Sequence, residues 1–76
     1  MNKKRRENLD IAINYINMGK DLIKNVKDEE EFAYDNLPEN LQCSDRAFDM
    51  EEKIENMDEV IDKIDDVISL IEDVKF

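Results

Sequence analysis

Glu55-Asn56-Met57-Asp58-Glu59-Val60-Ile61 is followed without a gap by Asp62-Lys63-Ile64-Asp65-Asp66-Val67-Ile68 and then by Ser69-Leu70-Ile71-Glu72-Asp73-Val74-Lys75. The three segments keep apolar residues at the same places in a seven-residue frame. A hydrophobic period of seven is the pattern of an α-helix that packs along another helix. Each segment also keeps carboxylates on outward positions. One stretch therefore specifies a packing seam and a negatively charged surface, as in a protein that works by contact rather than by catalysis.

Working outward, the second helix is expected over about 44–74. Ser44 suits its N-cap, and Asp45 places a negative charge in the first turn, where the helix dipole favours it. Upstream, Asp35-Asn36-Leu37-Pro38-Glu39-Asn40-Leu41-Gln42 holds the only proline. Proline disfavours helical geometry in the residue before it, here Leu37, so a turn is expected over about 35–43, with Asn36 as a cap. The first helix is expected over about 3–34. A short connection makes the two helices antiparallel neighbours. The expected fold is all-α: one domain over residues 1–76, a coiled-coil-like antiparallel two-helix hairpin that dimerises into a four-helix bundle.

The apolar residues suggest a register. Leu9, Ala12, Ile16, Gly19, Ile23 and Val26 form one seam, and Ile54, Met57, Ile61, Ile64, Ile68 and Ile71 the other. Pairing residues whose numbers sum to 80 sets each seam residue against a partner, with Ala12 and Gly19 facing isoleucines and Ala33 facing Ala47. Large against small preserves the volume of a packed layer. Gly19 weakens a helix by about 1 kcal/mol relative to Ala, and close approach of the second helix is the expected compensation. Ile11, Tyr15, Met18, Leu22, Val60, Val67, Leu70 and Val74 are left over on one flank. An exposed apolar strip of this kind marks an interface, either with a second hairpin or with a different protein. Phe32 and Phe48 are expected to close the turn end against Leu37 and Leu41.

Charge bounds the function classes. The net charge is −10, but residues 1–27 carry seven Lys/Arg against three acids and residues 28–76 carry four against eighteen. Such an acidic body disfavours direct contact with nucleic acid or an anionic membrane. No apolar run approaches the roughly 20 residues of a membrane span, and the basic N-terminus lacks the apolar stretch of a signal peptide. Lone Cys43 fits a reducing cytoplasm. With no histidine or basic cluster beside it, Cys43 is not an expected nucleophile. Glycine-rich phosphate loops and Glu-x-x-His metal motifs are missing, so neither an enzyme, a cofactor nor a metal site is expected.

Glu55, Asp58, Glu59, Asp62, Asp65, Asp66, Glu72 and Asp73 form rows on the outer face of the second helix. They are either a solvated face or a rod of negative charge that docks on a basic, nucleic-acid-binding protein. Heptads lie about 10.5 Å apart along a helix, so interleaved rows roughly imitate a phosphate track. Lys3-Lys4-Arg5-Arg6 is expected to neutralise Glu72 and Asp73, with Lys20, Lys24 and Lys27 doing the same further along.

Asp28-Glu29-Glu30, Ala33, Asp35 to Gln42, Ser44, Arg46, Met50 and Glu51 together resemble small acidic proteins encoded by phages and prophages of low-GC Gram-positive bacteria. The resemblance implies a viral accessory protein in the bacterial cytoplasm that binds a host protein, such as a component of antiviral defence. It also draws attention to Asn36, Glu39, Asn40 and Gln42 as a turn surface for recognition, beside their use in capping.

Overall fold

The computed structural model describes every residue from Met1 to Phe76. It is an all-α hairpin: α1 (Lys3–Asp35) and α2 (Asp45–Val74) are joined by a connection that includes a short 3-10 turn, Glu39–Leu41. The molecule is a rod of 60 × 15 × 11 Å.

Each boundary has a local cause. The Asn2 side chain accepts a hydrogen bond from the Arg5 N–H at 2.8 Å, which opens α1. At its far end the Asn36 amide group donates to the Phe32 carbonyl at 2.7 Å. Pro38 then keeps Leu37 out of the helix. Ser44 acts in both directions: its hydroxyl donates to the Leu41 carbonyl at 2.6 Å and accepts from the Ala47 N–H at 3.3 Å. One side chain thus ties the short turn to the first turn of α2. Ser44→Ala is expected to cost about 1 kcal/mol, a fall in melting temperature of about 4–8 °C for a domain of this size. Thermal unfolding followed by circular dichroism measures it.

The packing seam differs from the expected one. The covered line on α1 runs Leu9, Ile13, Ile16, Lys20, Ile23, Lys27, Glu30 and Tyr34, in alternating steps of four and three. On α2 it runs Ala47, Met50, Ile54, Met57, Ile61, Ile64, Ile68, Ile71 and Lys75. Ile13, absent from the expected seam, is one of only four buried residues, with Ala47, Met50 and Ile61. Val26, expected inside, is 54% exposed. Ala33 is exposed and does not match buried Ala47. A methyl group added at Gly19 would meet nothing within 4 Å, so α2 does not approach closely there.

Lysine explains the rotation. An apolar count passes over Lys20 and Lys27, yet their side chains are only 17% and 21% exposed. Their methylene stems lie along the seam while the ammonium groups reach out of it, as long basic side chains do on apolar surfaces. Lys20 meets Asp65 at 2.8 Å, Lys27 meets Asp58 at 2.5 Å, and Lys75 meets Asp10. Residue numbers in all three cross-helix pairs sum to 85, not 80. The two covered lines match residue for residue at a sum of 84, from Leu9 with Lys75 to Tyr34 with Met50, so one helix is slid along the other by four to five residues, about 6–7.5 Å.

Candidate interaction surfaces

The two long edges of the hairpin differ in chemistry. One edge is the ionic clasp of Lys20–Asp65, Lys27–Asp58 and Lys75–Asp10, with Glu72 also 3.2 Å from Lys75. The Lys27 ammonium is held above the ordinary lysine range, chiefly by its hydrogen bond to Asp58 and against the cost of desolvation. Lys75 is raised likewise, first by Asp10 and then by Glu72. A raised pKa means that the folded state holds its protons more tightly than the unfolded chain. The stabilisation is therefore complete below pH 10.5 and is lost as pH rises through the higher folded values. Melting temperature is expected to stay level from pH 8 to 10 and then fall. Lys27→Met and Lys75→Met, which keep the stems, should flatten that fall. An equal alkaline slope in wild type and both variants would contradict the clasp.

The opposite edge is apolar. Ile11, Tyr15, Met18 and Leu22 on α1 are 52–69% exposed, and Val60, Val67, Leu70 and Val74 on α2 are 44–64% exposed. Helical spacing at 100° per residue puts the α1 residues within one narrow stripe. Val26 belongs with them, and Gly19 lies at the stripe's inner margin. Between the helices on this edge Leu22, Ile23, Val26, Met57 and Val60 line an entirely apolar groove of about 330 Å³. Here the chain gathers the association residues into one continuous surface, with Val26 added.

The acidic residues divide into two groups. Asp58, Asp65 and Glu72 lie beside the seam and are paired in the clasp, so they are not free. Glu59 pairs with Lys63 at 3.0 Å, one turn away on its own helix. Glu55, Asp62, Asp66 and Asp73 are exposed on the outer face of α2. Glu52, Glu59, Asp66 and Asp73 follow one another at heptad spacing, an unbroken acidic row about 31 Å long. The basic start does not neutralise the end of α2: Lys3 lies 4.0 Å from Glu7, Glu72 is taken by Lys75, and Lys4, Arg5 and Arg6 make no ion pair.

At the turn, Asn36 and Gln42 are occupied with the backbone. Asn36 caps α1, and Gln42 donates to the Leu37 carbonyl at 3.4 Å. Glu39 and Asn40 are exposed. Tyr34, Asp35, Leu37, Gln42 and Cys43 border a shallow hollow of about 350 Å³. Phe32 and Phe48, expected to close this end, are instead 72% and 60% exposed. The corrected frame puts each of them on the outer side of its own helix, turned away from Leu37 and Leu41. No three acidic or thiol groups converge as a metal ion would need. Neither helix is long and apolar enough to cross a membrane.

No protein-family model, curated protein or solved structure matches the chain.

What the apolar count could not find were the clasp residues and Val26. The signal was present as lysines at seam positions facing aspartates beside the seam of the other helix, a cross-helix charge match at a single offset.

Proposed function

We propose that the chain is a non-enzymatic accessory protein of the phage type. It binds a host protein with a basic, nucleic-acid-handling surface and inhibits or modulates it through the outer face of α2. The observation that carries this reading is the acidic row Glu52, Glu59, Asp66 and Asp73, flanked by Glu55 and Asp62. It stands exposed on the side away from the packing seam. Charges spaced along a rigid rod meet a basic groove without ordering a flexible segment first. The turn residues Glu39 and Asn40 are exposed as well and serve as a second contact. The role suits the bacterial cytoplasm.

The test separates outward carboxylates from the clasp. A host protein recovered with the chain should be released by duplex DNA, which competes for the same groove. Reversing Glu55, Asp62, Asp66 and Asp73 to Lys should abolish binding while leaving the helical signal intact. Binding should also weaken as salt rises, because exposed charges are screened over about 8 Å at physiological ionic strength. Affinity that ignores the reversals, the DNA and the salt would overturn the reading. A second reading, a structural hairpin whose role is self-association, is favoured by the exposed apolar edge.

A further inference from the structure

The hairpin exposes more surface than its mass calls for. A compact folded chain of 9.0 kDa has an accessible surface of about 4,850 Å². This one has 5890 Å², an excess of roughly 1,000 Å². A standard protein interface removes about 800 Å² from each partner. Only four residues are buried, too few to hold a domain of this size without association. The uncovered surface is the edge that runs from Ile11 to Val26 on α1 and from Val60 to Val74 on α2.

Charge identifies what covers it. The free end of the hairpin is basic: Lys4 and Arg5 continue the apolar stripe beyond Ile11, and neither has an ion-pair partner in the chain. The turn end is acidic: exposed Glu29 continues the stripe beyond Val26, with half-buried Glu30 beside it on the covered line. A surface that is basic at one end, apolar in the middle and acidic at the other complements itself when reversed. Side by side in the same direction, two copies would set basic end on basic end and acidic end on acidic end, which costs free energy.

We propose that a second copy of this chain covers the apolar edge, antiparallel, about a two-fold axis that passes near Met18 and Gly19 at the middle of the stripe. The interface is isologous. Ile11 of one copy faces Val26 of the other, and Tyr15 faces Leu22. Each Tyr15 ring then lies over the groove between Leu22, Val26, Met57 and Val60 in the other copy. Lys4 and Arg5 fall about one helical turn from Glu29 across the axis. Gly19 acquires a reason. It sits in an ordinary helix with no positive φ, and nothing in its own chain fills the space beside it. At the axis, its lack of a side chain lets the two α1 helices approach. The proposal is independent of the acidic-face reading, because the outer face of α2 stays free in the pair.

Position-specific cross-linking tests it. A disulfide forms only where Cα atoms lie within about 7 Å. In a Cys43→Ser background, Met18→Cys, beside the axis, should oxidise to a covalent dimer. Ile11→Cys and Val26→Cys should not do so alone, but a mixture of the two should give the cross-linked heterodimer. Lys4→Glu should weaken association several-fold at low salt, and adding Glu29→Lys in the same chain should restore it. Both positions are exposed, so the hairpin tolerates the changes. Self-linking at all three cysteine positions would mean parallel copies and overturn the proposal. So would the mass of a monomer with no cross-link at any position, whether or not that monomer still binds a basic protein.

Discussion

Leu22→Asp combined with Val67→Asp should abolish association and take most of the helical signal with it. Both side chains are largely exposed in the single hairpin, at 67% and 45%. If the hairpin were self-sufficient, two exposed polar substitutions would change its stability by no more than about 0.5 kcal/mol each. If the edge is an interface core, four carboxylates enter a desolvated apolar layer across the two-fold axis. Burying an unpaired charge costs several kcal/mol, more than a small helical domain can lose. The predicted result is a chain with the mass of a monomer and the far-ultraviolet spectrum of a disordered one. Retained mass and spectrum would remove the edge from the packing.

Ile13→Ala should be nearly as damaging, and it tests the register. Ile13 is 7% exposed and sits in the covered line of α1. Truncating a buried isoleucine costs about 2–5 kcal/mol, the spread reflecting how far the site collapses. At about 4–8 °C per kcal/mol the melting temperature should fall by roughly 10–20 °C or more. Gly19→Ala makes the contrast. In the register with numbers summing to 80, a methyl group at residue 19 would collide with α2. In the observed packing it meets open space within the chain, so the hairpin itself should tolerate it and gain helix propensity. Any loss from Gly19→Ala should then come from weaker pairing and not from the contact with α2. A small effect of Ile13→Ala beside a large loss of hairpin stability from Gly19→Ala would restore the other register.

The hairpin itself was legible. The sevenfold period over Glu55–Lys75, the capping chemistry of Ser44 and the helix break before Pro38 each rest on local preferences that tertiary packing did not override. The rotation of α1 was not. Counting apolar side chains selects Ala12, Gly19 and Val26, because a lysine scores as polar at every atom. A lysine in a helical hairpin is an apolar stem with a charge four carbons away, and Lys20, Lys27 and Lys75 use the stem inside and the charge outside. Moving the seam by one residue turned Gly19 and Val26 from core to edge and enlarged the association surface. It also moved Asp58 and Asp65 from a free acidic face into the clasp. Phe32 and Phe48 were misjudged for a related reason: aromatic residues near a turn suggested closure, but their heptad positions put them on the outside. Lys4 and Arg5, passed over as local neutralisers of Glu72, became informative once Lys75 was found to hold that carboxylate.

Whether a second copy completes the core of this chain is decided by thermal unfolding, followed by circular dichroism, at chain concentrations a hundredfold apart. When folding and pairing are one process, mass action raises the melting temperature with concentration. A clear rise is expected at the higher concentration, together with a sedimentation mass of twice 9.0 kDa. A cooperative transition at the same temperature at both concentrations, from a species of 9.0 kDa, would contradict it.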